Sequence, residues 1–326
     1  MIEASAIPAG ARVSRIPDLF IIGAPKCGTT SLFEYLKGHP QVFMSAVKEP
    51  NYYARDLALD PGGQSLRYGL DEARYLALFN DAGGAKRAGE GSTRYLYSLD
   101  AAQLTKAASP DARIVAMVRN PVDMIRSLYD HKVAAGTEDL PDLAQALAAE
   151  DDRHAGRRIP EHSNPKLATY RDRARFSEQL ARWFDVYGRD RVHVIVLEDM
   201  IANPASEFRR LLEFLDVDPD WKPASFETHN AAHGSRSRTL QRVVLAPPMQ
   251  WAAWRALPRI IGDARARQLV SRFSHSDLRR RKIVRTPLPP ALRSQLEDDF
   301  MPDVKLLSTQ LGHDLAALWF GRVSAS

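Results

Sequence analysis

The sequence predicts a three-layer α/β fold with a central, mostly parallel sheet, and two observations carry this. Three short, uninterrupted apolar runs recur along the chain, and each is followed by a helical pattern. Strands that are apolar at every position are covered on both faces, as parallel strands are when the helices connecting them pack above and below the sheet.

The first run, residues 18–23, enters a glycine-containing loop, after which 29–37 reads as a helix stopped by Gly38 and Pro40. The second, 114–118, passes through Arg119, Asn120 and Pro121 into a helical pattern that reaches Leu128 and Tyr129. The third covers 192–197. Long helical patterns fill 173–187 and 205–215, the second opening at Asn203 and Pro204. Residues 228–290 are less regular and rich in Arg and Pro. They are expected to form a basic cover on a single domain spanning 1–326, with Trp251 and Trp254 packed on one helical face.

With 326 residues, 44% hydrophobic and 26% charged, the chain has material for a sizeable core, which excludes disorder, collagen and a disulfide scaffold. One cysteine, Cys27, makes no internal disulfide and no cysteine-rich metal site. No leader pattern opens the sequence and no 18 consecutive residues are apolar, so a cytoplasmic protein is expected. Net charge is +5, yet 236–285 alone hold thirteen basic and two acidic residues, leaving the rest acidic. Such a segment suits an anionic partner or is simply a solvated face. No aromatic-interleaved or zinc-finger pattern accompanies it, so nucleic acid is not the expected partner.

Residues 23–31, Gly-Ala-Pro-Lys-Cys-Gly-Thr-Thr-Ser, lie between a strand and a helix, where backbone N–H groups and the helix dipole favour an anion. Nucleotide triphosphatases place Lys directly after the second Gly of such a loop. Here Thr29 takes that position and Lys26 lies inside the loop, which favours transfer without a metal.

The loop resembles the 5′-phosphosulfate loop of sulfotransferases that use 3′-phosphoadenosine 5′-phosphosulfate (PAPS). Arg119-Asn120-Pro121 with Ser127 is similar to their 3′-phosphate motif. Lys48-Glu49-Pro50-Asn51-Tyr52-Tyr53 and the segment 89–95 are similar to stretches of the heparan-sulfate-type branch, and the likeness is weakest from Arg236 onward. The resemblance implies a P-loop-like fold, PAPS as donor without a metal, PAP (3′-phosphoadenosine 5′-phosphate) as product, and a carbohydrate, glycolipid or other small-molecule acceptor. A lipid acceptor would add a peripheral membrane contact.

It further implies roles for particular residues. Lys26 would stabilise the leaving group, while Cys27, Gly28, Thr29, Thr30 and Ser31 hold the 5′-phosphate. Arg119 and Ser127 would clamp the 3′-phosphate, and a basic residue such as Arg236 would close over the nucleotide. Glu49 is the candidate general base. Lys48, Asn51 and Tyr95 are expected near the acceptor, and His131 falls where some relatives carry a histidine. Asn51 departs from the histidine several relatives have, which leaves Glu49 as the nearby base. Cys27 is not expected to be a nucleophile, because no base-bearing motif accompanies it.

Two rival readings stand beside this one. In a P-loop kinase or NTPase, Glu198 and Asp199 would hold magnesium; in a sulfotransferase they would serve a helix N-terminus. A non-catalytic polyanion-binding protein would use the basic segment instead.

Overall fold

The computed structural model describes residues 15–57, 70–160, 163–226 and 287–321, together with two short strands, His233–Gly234 and Arg281–Lys282. These two strands pair antiparallel. Up to residue 286, the rest of the expected basic cover, with Arg236, Trp251 and Trp254, lies outside the described residues.

Five strands, β1 (Leu19–Gly23), β2 (Val42–Met44), β3 (Arg87–Gly91), β4 (Arg113–Val118) and β5 (Val192–Val196), form one parallel sheet in the order β2-β3-β1-β4-β5. All five residues of β1 are buried, as expected for a central strand with helices on both faces. The helices, in chain order, are α1 (Thr29–Lys37), α2 (Glu72–Ala77), α3 (Ala101–Ala108), α4 (Pro121–Ala135), α5 (Leu143–Ala148), α6 (Glu150–His154), α7 (Arg171–Ala174), α8 (Phe176–Tyr187), α9 (Leu197–Ala202), α10 (Pro204–Phe214), α11 (Pro290–Leu311) and α12 (Leu315–Phe320). No helix among the described residues is long and apolar enough to cross a membrane.

Three expectations are corrected here. The strand predicted over 192–197 ends at Val196, because Leu197 already opens α9. The helix predicted over 173–187 is two, broken at Arg175, whose backbone is extended. The break is tertiary in origin: the Asp303 carboxylate on α11 accepts from the Phe176 and Ser177 amides, at 3.0 and 3.3 Å, and so caps a new helix start. The third correction is β3, a strand that the apolar patterning does not show. Gly89 lies so close to β1 that a Cβ would come within 2.8 Å of the Leu19 side chain, so the strand is glycine-rich in order to pack.

Behind α4, Glu138 and Arg153 pair with no side-chain exposure through two hydrogen bonds of 2.8 Å, and the Tyr170 hydroxyl donates to Glu138 at 2.6 Å. Removing one member strands a buried charge, so Glu138→Gln is expected to lower unfolding free energy by about 3–5 kcal/mol in urea titration. A loss below about 1 kcal/mol would show that the pair is not the pin it resembles.

Candidate functional site

The predicted site residues gather at the carboxyl ends of the parallel strands, where ligands of open α/β sheets bind. Lys26 follows β1, the segment Lys48 to Asn51 follows β2, Thr93 follows β3, and Arg119 follows β4. Parallel pairing alone brings these sequence-distant residues to one edge.

The loop after β1 is shaped by its backbone. Lys26 and Gly28 both have left-handed φ, +66° and +90°. A Cβ on Gly28 would meet Leu197 at 2.8 Å and Met117 at 3.3 Å, so only glycine fits. Gly28 caps α1 without a side-chain hydrogen bond, and the first turn of α1 carries no acidic residue, which preserves its attraction for an anion. Thr29 is buried, while Thr30 and Ser31 are partly exposed. The Cys27 thiol is buried, and that burial pushes its pKa far above the ordinary range, which removes thiolate chemistry.

Arg119 Nη1 donates to the Lys26 carbonyl at 3.3 Å, so the two segments singled out in the sequence meet. The corner that presents Arg119 is locked from both sides. Asn120 caps α4 by accepting from the Val122 amide, 3.0 Å, and its Nδ2 donates to the Trp319 carbonyl, 3.0 Å. Glu198 accepts from the Asn120 amide at 3.1 Å and, with its other oxygen, from Trp319 Nε1 at 3.0 Å. Asp199 pairs with His313 at 3.3 Å. Both oxygens of Glu198 thus hold the Arg119 corner. Among the described residues no group of three His, Cys, Asp or Glu side chains is placed to hold a metal. Ser127 is buried on α4 two turns beyond Arg119, and His131 is exposed one turn further.

Glu49 lies in a strained turn, with φ of +63° there and +54° at Asn51. Its amide donates to the Gly91 carbonyl at 2.8 Å. One carboxylate oxygen accepts from the Thr93 amide at 2.8 Å and hydroxyl at 3.1 Å; the other lies 2.9 Å from Lys48 Nζ. Lys48 and Glu49 thus form an ion pair, each side chain about one-quarter exposed, at 22% and 24%. Asn51 Nδ2 donates to the Glu49 carbonyl at 2.8 Å, whereas its Oδ1 is buried without a protein partner among the described residues.

Tyr95 is not at the acceptor face. It is fully buried, its hydroxyl donates to Glu90 at 2.6 Å and accepts from the Tyr53 amide at 3.2 Å, and the expectation for it is corrected accordingly. Sequence reasoning also missed Thr93 and Glu90. Both belong to the segment 89–95 singled out above, but apolar patterning gives no signal for a buried carboxylate.

The family model described as a sulfotransferase domain matches residues 16–231. Carbohydrate sulfotransferase 15 from Homo sapiens is 24% identical over 254 residues, covering 64% of this chain and 45% of that protein. Heparan sulfate glucosamine 3-O-sulfotransferase 6, also from Homo sapiens, is 26% identical over 204 residues, covering 62% and 53%. The chain therefore spans about half the length of these curated relatives. The crystal structure of a sulfotransferase from Alicyclobacillus acidocaldarius superposes with a TM-score of 0.68 at 28% identity, covering 93% of this chain and 98% of that one.

Proposed function

Because the chain belongs to the sulfotransferase domain family, we propose that it moves a sulfuryl group from PAPS to a hydroxyl of a carbohydrate acceptor, an amine being the second candidate. The observation that carries this is the hydrogen bond joining Arg119 to the Lys26 loop at the adjacent ends of β4 and β1, with Glu49 after β2 at the same edge of the sheet. The names of the human relatives support a sugar acceptor.

The residues fit the nucleotide: a helix start with no side-chain cap and no acidic residue in its first turn, a loop turned by Gly28, and a guanidinium just beyond the neighbouring strand. PAPS, when bound, supplies the sulfuryl group and a phosphate leaving group. Lys26 meets the negative charge that develops on the oxygen being released. The amides of Gly28, Thr29 and Thr30, with the hydroxyls of Thr29, Thr30 and Ser31, hold the 5′-phosphate, while Arg119 and Ser127 hold the 3′-phosphate. Glu49 takes the proton of the attacking hydroxyl, Lys48 and Asn51 orient the acceptor, and His131 borders it. Catalysis of this kind rests on positioning and charge stabilisation.

Calorimetric titration tests the reading. The chain is expected to bind PAP in EDTA, with affinity reduced roughly 10- to 100-fold in Arg119→Ala, the value of one charge-assisted contact. Preference for ATP with magnesium, or indifference to Arg119→Ala, would overturn it.

A further inference from the structure

Glu90 on β3 is fully buried, and among the described residues no cation pairs with it. Three hydroxyls converge on its carboxylate: Tyr75 at 3.1 Å and Tyr95 at 2.6 Å on one oxygen, Ser92 at 2.6 Å on the other. Two of these hydroxyls also accept backbone hydrogen bonds from the segment that follows Glu49. The Asn51 amide donates to Ser92 Oγ at 2.9 Å, and the Tyr53 amide to Tyr95 Oη at 3.2 Å.

A carboxylate that burial disfavours is kept where hydrogen bonds to it fix something else. Here the thing fixed is a turn with two non-glycine residues at positive φ, Glu49 and Asn51, a strained conformation that surrounding contacts must impose. We propose that Glu90 is a positioning residue for the reaction: through Ser92 and Tyr95 it holds the Asn51 and Tyr53 amides and so aims the Glu49 carboxylate at the acceptor. The inference rests on the reading of Glu49 as the base.

Ionisation of Glu90 strengthens the case. Burial pushes its carboxyl up to about 7, against the pull of Ser92, Tyr95 and Tyr75, with Glu49 adding a like charge. The groups facing it are the hydroxyls of Tyr75 on α2 and of Ser92 and Tyr95 beyond β3, with Tyr53 close by, and the Glu49 charge. Ionised, Glu90 accepts from both relay hydroxyls. Protonated, it becomes a donor, so one of the three hydroxyls must turn from donor to acceptor and the network that holds the Asn51 and Tyr53 amides rearranges.

The test is steady-state kinetics from pH 6 to 8 on wild type, Glu90→Gln, Ser92→Ala and Tyr95→Phe, with PAP affinity measured alongside. Each variant is expected to lose roughly 10- to 100-fold in kcat, the cost of slight misplacement of a reacting group, with PAP Kd within twofold. Wild-type kcat is expected to fall with a limb near pH 7 as Glu90 takes up its proton, and that limb is absent in Glu90→Gln. If Glu90→Gln fails to fold, the two hydroxyl deletions decide, since each removes one oxygen. A Glu90→Gln profile of wild-type shape, kcat within twofold in the hydroxyl variants, or an equal loss of PAP affinity would overturn the proposal. Should those results coincide with an inactive Glu49→Gln, the base stands and only the positioning role falls. An active Glu49→Gln removes both.

Discussion

Glu49→Gln is expected to lower kcat by about 10²–10⁴-fold while leaving PAP affinity within a factor of two, because the change removes a proton acceptor and nothing that touches the nucleotide. The side chain is held for that task. Thr93 fixes one oxygen through its amide and hydroxyl, so the other oxygen is the one presented, and Lys48 occupies it in the absence of acceptor. An arriving hydroxyl therefore has to displace or share the Lys48 contact, which costs little for a pair that is about one-quarter exposed. Glutamine keeps the shape and an oxygen for Thr93, so the fold of the turn survives, and the loss reads the proton transfer. Single-turnover measurements with excess PAPS check this. A kcat within tenfold of wild type would mean that Glu49 is a structural member of the Lys48 pair and that the acceptor loses its proton elsewhere.

The parts of this arrangement that were legible in the sequence share one physical trait: they are local. The central strands announce themselves because burial on both faces demands continuous apolar residues, as in Leu19 to Gly23 and Ile114 to Val118. The phosphate loop is legible because its glycine spacing and the helix after it are properties of nine consecutive residues. What stayed hidden is set by contacts between distant segments. The β3 strand carries Gly89, Glu90 and Gly91 in place of apolar residues, since Leu19 fills the space above Gly89 and Phe33 lies against Gly91. The break at Arg175 comes from Asp303, more than a hundred residues away. Tyr95 resembled a site residue because it lies beside one; only the fold shows that its hydroxyl points inward to Glu90. Glu198 followed by Asp199 at a strand end looks the same in sequence whatever it faces, and only the fold shows that Glu198 accepts from Asn120 and Trp319.

Lys26→Ala is expected to reduce kcat by roughly 10²–10³-fold, the scale seen when one preorganised donor is taken from a site of developing charge. The substitution isolates the ammonium cleanly. Lys26 has φ of +66°, a conformation that costs alanine about what it costs lysine, so the loop pays no new backbone penalty. Lys26→Gly would instead relax the loop and mix two effects. The carbonyl that accepts from Arg119 belongs to the backbone and survives the change, so the 3′-phosphate side of the cradle keeps its anchor. PAP affinity should accordingly drop less than kcat, because the charge that Lys26 meets is largest while the sulfur–oxygen bond is breaking and smaller in the resting complex. A loss confined to PAP Kd with kcat intact would make Lys26 a nucleotide contact only. A loss in kcat with Kd nearly unchanged assigns it to the departing oxygen, on the side of the sulfur opposite the proton transfer proposed for Glu49.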